Sequence, residues 1–247
     1  MAFVIVDGII SIAIFIIALV LNLIHVDPLY IYPETLPSDA PRRNEFCQVW
    51  LFFVLIVVIP LAIIVLQYDF RRPDFTISNL LYPLIYYLFT VSLVSIICSS
   101  VHLLIGTPRP DSVEQCRTVN VSYWTCSTVL SKSQLVSQFH SFPSIEAALA
   151  MASAVFLGNL FASYGNSFSE LLSITVRSIP YLWAVMVGSL SIALSMYRIS
   201  DVLAGFLIGF IIASWASSTI NHEETRRGNR KKADSDSGVG AYEKPNI

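Results

Sequence analysis

Three short stretches of this chain place reactive or charged side chains beside long apolar runs. They read His102-Leu-Leu-Ile-Gly-Thr-Pro-Arg109-Pro110-Asp111, His140-Ser-Phe-Pro143-Ser144-Ile145-Glu146, and Ser191-Ile-Ala-Leu-Ser-Met-Tyr197-Arg198-Ile-Ser-Asp201-Val-Leu-Ala-Gly205. Arg109-Pro110 offers a fork of N–H donors on a rigid turn, a pairing suited to phosphate oxygens. Pro143-Ser144 reads as the opening of a helix, where free backbone N–H groups favour an anion. Asp201 stands near the start of an apolar run, where its charge suits the positive end of the helix dipole. Taken one at a time, Arg109 and Arg198 could simply mark a membrane interface, and Ser144 and Asp201 could be helix caps. Converging at one place, the three stretches describe a site for a phosphate-bearing ligand.

The elements that must position them are membrane spans. The mean hydropathy is +0.66, and 55% hydrophobic against 13% charged residues places the chain outside the soluble range. About 20 apolar residues cross the roughly 30 Å hydrocarbon layer as a helix. Six runs qualify, at about 3–24, 48–67, 77–105, 143–163, 178–196 and 199–219. A large soluble all-α core is the alternative, and it is disfavoured because soluble helices carry a polar stripe and these runs do not. The first run is too long for a signal peptide and has neither a basic leader nor a small-residue cleavage site, so it reads as a retained span. The expected fold is therefore all-α, a six-helix integral membrane domain over 1–220, followed by a hydrophilic, disordered basic tail over 221–247.

Charge placement orients the bundle. Net charge is only −2, but Lys and Arg gather at Arg71-Arg72 and at Arg226, Arg227, Arg230, Lys231 and Lys232. By the positive-inside rule both clusters, and with six spans both termini, belong in the cytosol. The three polar stretches then meet at the luminal or extracellular face of an endomembrane or the plasma membrane. Asn120-Val121-Ser122 is a glycosylation sequon in the third loop, and Cys116 and Cys126 flank it, close enough to pair in an oxidising compartment. Cys47 and Cys98 read as apolar fillers. The tail's basic cluster either touches anionic headgroups or serves only to fix topology. No nucleic-acid partner is expected; the bilayer and its lipids are.

The three stretches resemble the tripartite signature of the type 2 phosphatidic acid phosphatase / haloperoxidase superfamily, in its eukaryotic lipid phosphate phosphatase branch. That signature runs Lys-x6-Arg-Pro, Pro-Ser-Gly-His, then Ser-Arg-x5-His-x3-Asp. The likeness covers nearly the whole chain. Gly106-Thr-Pro-Arg109-Pro110-Asp111, Ser141-Phe-Pro143-Ser144 and the Asp201-to-Gly205 step read as family text, and Asp27-Pro28…Tyr32-Pro33 resembles the first extracytosolic loop.

The resemblance implies metal-independent phosphoryl transfer without a cofactor. A histidine attacks phosphorus and is oriented by an aspartate, a second histidine protonates the leaving alcohol, and Lys, Arg, Ser and Gly hold the phosphate. Carried over position by position, Arg109, Pro110, Pro143, Ser144 and Asp201 match. The Lys position holds His102, the Gly position Ile145, the acid position Glu146, the Arg position Ser191 with Leu190 before it, and the nucleophile position Tyr197. Arg198 cannot replace the missing Arg, because it stands three residues before the aspartate and the motif requires ten.

The expected site is thus Tyr197, Glu146 and Asp201 in the catalytic positions, with His102, Arg109, Ser144 and Ser191 around the phosphate. A tyrosine has a reference pKa near 10 and needs a base to ionise it. An ionised Glu146 repels a phosphate dianion, and Ser191 removes a fork of donors. Losing one member of a catalytic unit commonly costs about 10⁴–10⁶ in rate. The expectation is a family member with strongly reduced or lost phosphatase activity and a retained lipid-binding role toward phosphatidic or lysophosphatidic acid-type lipids. The rivals are an active enzyme in which Tyr197, His140 or His102 does unusual chemistry, and an interaction protein without lipid chemistry. A transporter finds little support, since no inverted repeat is visible.

Overall fold

Helices of apolar sequence dominate the chain, in a computed structural model that describes residues 2–23, 30–31, 51–52, 54–69, 77–117, 122–162 and 170–218. The tail, Arg71-Arg72, Asn120, Cys47 and most of the first loop lie outside the described residues. In chain order the elements are α1 (Ala2–Leu23), β1 (Tyr30–Ile31), a π-helical turn (Val54–Val58) running into α2 (Ile59–Asp69), α3 (Ile77–Leu104) and β2 (Ile105–Gly106). Three short helices follow, α4 (Ser112–Cys116), α5 (Tyr123–Ser127) and α6 (Lys132–Gln138), then α7 (Ile145–Ala162), α8 (Glu170–Ala193) and α9 (Ile199–Ser218).

Among the described residues four helices are long and apolar enough to cross a membrane, Leu81–Leu104, Ile145–Ala162, Glu170–Ala193 and Ile199–Ser218, while Ile5–Leu21 and Val54–Leu66 are shorter apolar stretches. Of the six expected spans, the last four are thus matched by helices of crossing length. The second includes, among the described residues, a π-helical turn that continues into α2 just ahead of Pro60. The fifth begins at Glu170, eight residues before the expected 178, because Ser173, Thr175, Arg177 and Ser178 lower its hydropathy without interrupting its helical hydrogen bonds.

The core forms around α7. Its alanines, from Ala147 to Ala154, are buried, and they let neighbouring helices approach closely. Across from them on α9, Gly205 and Gly209 lie so near that an added Cβ would run into the carbonyl oxygens of Ser144 and Ala148 respectively. Ser144, Ala148 and Ala152 therefore face Gly205, Gly209 and Ala213, two stripes of small residues at four-residue spacing. Helices in lipid associate in this way because van der Waals contact must replace the hydrophobic effect. On α8, Gly188 likewise leaves room for the Phe206 ring and Val202. α3 packs on α7 from the other side, and α1 packs on α3.

At the motif end, β1 pairs in parallel with β2, Tyr30 opposite Ile105 and Ile31 opposite Gly106, tying the first loop to the end of α3. The segment 106–142, expected as a loop, holds α4 to α6. It is stapled by a Cys116–Cys126 disulfide over a small core of Tyr123, Leu135 and Phe139.

Candidate active site

Backbone geometry first fixes where the site residues stand. The Schellman turn that ends α8 donates from Met196 N to Ser191 O (3.1 Å) and from Ser195 N to Ile192 O (2.9 Å). Ser195 takes the left-handed conformation, φ 58°, that such a turn requires. The chain emerges with Tyr197 directed inward, and α9 begins two residues later. Asp201 sits in the first turn of α9 and accepts from the Arg198 N–H (3.3 Å), the reciprocal half of a capping box. Its carboxylate also accepts from the hydroxyls of Ser141 (2.5 Å) and Ser200 (3.1 Å), while its carbonyl accepts from Ser144 N (3.0 Å).

Ser144 caps α7, its hydroxyl accepting from Ala147 N at 3.3 Å. From the third side, His102 at the end of α3 donates through Nε2 to Pro143 O (2.8 Å) and stacks on His140 with ring centroids 5.0 Å apart. Thr107 braces the same corner, accepting from Phe142 N (2.8 Å) and, through its carbonyl, from Ser141 N (3.2 Å). Arg109 is held by its own N–H on Gln138 O (2.9 Å).

The remaining polar side chains meet beneath this framework. The Arg109 guanidinium stands 5.6 Å from the Tyr197 ring centroid, a cation–π contact. Tyr197 is only 2% exposed and packs with Phe52, Ile56, Met196 and Val202. Burial pushes its phenol well above the ordinary 10; the Glu146 carboxylate beside it pushes the same way, and Arg109 pulls against both without reversing them. Glu146 Oε2 is buried without a hydrogen-bond partner among the described residues. Ser191 is fully buried and donates to Val187 O of its own helix (3.1 Å).

The sequence model of the PAP2 superfamily matches residues 83–224, which includes His102, Arg109, Ser144, Glu146, Ser191, Tyr197 and Asp201. The chain belongs to the PAP2 superfamily. It is similar to the lipid phosphate phosphatase 2 of Arabidopsis thaliana, 24% identical over 220 residues that cover 85% of this chain and 74% of that protein. It is also similar to the probable lipid phosphate phosphatase 4 of the same plant, 22% identical over 224 residues, covering 85% and 70%. These likenesses place it in the lipid phosphate phosphatase branch. No solved structure matches it significantly.

Within this PAP2 domain, all seven residues singled out from the sequence lie at one end of the bundle, at the junction of α3, α7, α8 and α9. A half-open cleft of about 330 Å³ is walled by Ile105, Thr107, Pro108, Phe142, Arg198, Ser200 and Asp201, and only Asp201 of the seven borders it. Tyr197, Ser144 and Ser191 are buried, the phenol ring within an apolar cluster with Phe52, Ala147 and Val202. Asp201 is committed to Ser141, Ser200 and the α9 cap, and Glu146 is the carboxylate beside the phenol. Among the described residues no three His, Cys, Asp or Glu side chains gather as metal ligands.

Sequence reasoning assigned no role to Ser141 or Thr107. The available signal was two hydroxyl residues ahead of helix starts that have a carboxylate or free N–H groups to satisfy.

Proposed function

We propose that this protein is a lipid phosphate phosphatase relative that keeps the family's phosphate-site scaffold and binds lipid phosphates with strongly reduced or no hydrolysis. The reading takes the domain as six spans over 1–220, with the motif end at the luminal or extracellular leaflet and both termini and the basic tail in the cytosol. In this assignment Tyr197 occupies the nucleophile position, Glu146 the acid position and Asp201 the orienting position. His102, Arg109, Ser144 and Ser191 occupy the phosphate positions.

One observation carries the proposal. The side chain at the nucleophile position is a buried phenol whose nearest carboxylate makes it harder to ionise. A phosphoryl acceptor must lose its proton to attack, and Glu146 resists that loss by adding a second negative charge. Asp201 cannot orient the phenol while its oxygens serve Ser141, Ser200 and Arg198 N. The cationic inventory points the same way. Arg109 keeps the motif's fork of donors, but His102 gives its Nε2 proton to Pro143 and Ser191 gives its own to Val187. A Glu146 beside phenol does set a base next to an acceptor, as an active tyrosine site would require. The buried phenol's elevated pKa makes the proton transfer steeply uphill, so that arrangement favours binding over turnover.

The test uses full-length protein reconstituted in liposomes containing phosphatidic acid, without added metal. Saturable retention of phosphatidic acid, weakened by Arg109→Ala, with phosphate release at the level of protein-free liposomes supports the proposal. Release well above that level, or retention indifferent to Arg109→Ala, overturns it.

A further inference from the structure

The far end of the bundle holds a second polar feature that the phosphate site does not use. Asp7 lies within the apolar sequence of α1, half-buried, in a helix that turns Ile9, Phe15 and Ile16 outward. An ionisable side chain inside a membrane helix is costly, and it is typically turned toward a partner or a cavity. Asp7 borders a crevice of about 190 Å³ between α1, α3 and α9, walled also by Ser11, Ile85, Tyr86, Phe89 and Trp215. Its carboxylate has no hydrogen-bond or ion-pair partner among the described residues. Ser11 is not its partner, since that hydroxyl donates to Ile85 O (3.3 Å). The aromatic wall is fixed in part by the Tyr82–Tyr86 pair, whose hydroxyls are 3.1 Å and ring centroids 4.5 Å apart.

The crevice is separate from the phosphate site. Trp215 is fourteen residues beyond Asp201 on α9, about 21 Å along the helix at 1.5 Å per residue.

We propose that this crevice binds the head of a single-chain cationic amphiphile, an alkylammonium, whose chain runs from the crevice into the bilayer beside α1. A carboxylate among Tyr, Phe and Trp faces is the arrangement that holds ammonium groups, by charge pairing and by the negative faces of the rings. The volume is below the roughly 300–1,000 Å³ of pockets that enclose drug-sized ligands, so it accepts a head and its first methylenes only. Among the described residues no Lys or Arg lines it. A zwitterionic phosphodiester head would bring a phosphate against Asp7 with no cation to receive it, so the crevice selects net positive heads.

The experiment titrates dodecyltrimethylammonium into full-length protein in a neutral maltoside detergent and follows tryptophan fluorescence. The expected result is a saturable change carried by Trp215, absent in Trp215→Phe although Trp50, Trp124 and Trp183 remain. Asp7→Asn, nearly the same size, weakens the affinity tenfold or more. On the unmodified protein, dodecylphosphocholine and an uncharged amphiphile of equal chain length bind at least tenfold more weakly, a comparison that holds whether or not the variant folds. Equal affinity for the zwitterionic probe, unchanged affinity in a folded Asp7→Asn, or a signal that survives Trp215→Phe overturns the proposal. None of these outcomes depends on lipid phosphate binding at the other end.

Discussion

The two sides of the Ser144–Asp201 junction are built to different standards. On the anchoring side every oxygen of Asp201 has a donor, Ser144 caps α7, and glycines 205 and 209 bring α9 against the α7 backbone. On the reactive side a buried phenol sits beside a carboxylate with an unpartnered oxygen, under an Arg ring contact. The anchoring side matches the family's pattern residue for residue at Pro143, Ser144, Asp201 and Gly205. In the proposed assignment the reactive side holds Glu146, Ser191 and Tyr197 at the acid, Arg and nucleophile positions. The same residues that build a catalytic site also build helix caps and close helix crossings.

Several measurements would break or sharpen that contrast. The largest effect belongs to the helix crossing. Gly209→Val should cost about 3 kcal/mol or more, since a side chain there meets backbone carbonyl and amide atoms that cannot move aside without separating α7 from α9. It would be read as loss of the monodisperse folded peak and of the thermal transition in detergent.

Asp201→Ala comes next, at about 3 kcal/mol, because it strands two hydroxyls and the Arg198 N–H. Ser141→Ala removes only one of those donors and should cost about 1–2 kcal/mol. If the two variants melted alike, the junction would not be the anchor described here.

The reactive side should respond to pH rather than to truncation. The Tyr197 phenol keeps its proton longer folded than unfolded, so the unfolded chain releases that proton first as pH rises. Its contribution to stability is full below about 10 and falls above it, by at most about 1.4 kcal/mol per pH unit until the folded phenol ionises. Between pH 7 and 9 wild type and Tyr197→Phe should show parallel stability curves, and they should diverge only in strong alkali. Divergence near neutrality would mean an ionised tyrosine and a different site.

Much of this was legible in the sequence, for identifiable reasons. Length and hydropathy locate the last four spans to within a few residues, apart from the polar first turns of α8. The motif spacing brings Arg109, Glu146 and Tyr197 to one place because capping and turn residues (Ser144, Asp201, Ser195) leave local signatures. The cysteine pair around the third loop is also readable, and Cys116 and Cys126 are joined.

Other features depend on tertiary contacts that no local pattern encodes. Which carboxylate faces the phenol was one, since Asp201 is drawn away by Ser141 from sixty residues upstream. The burial of the Tyr197 ring in a cluster with Phe52 and Ile56 was another. Asp7 went unremarked because a single acid near the start of an apolar run looks like an interface residue until α3 and α9 supply the crevice.

The most direct test of the central claim is phosphate release from phosphatidic acid by reconstituted wild-type protein beside Tyr197→Phe, at neutral pH and without added metal. A phenol held above its ordinary pKa by burial and by Glu146 predicts the same result for both, no more phosphate than protein-free liposomes release. Sustained release by wild type that disappears in Tyr197→Phe would contradict the account and make Tyr197 the nucleophile of a working enzyme.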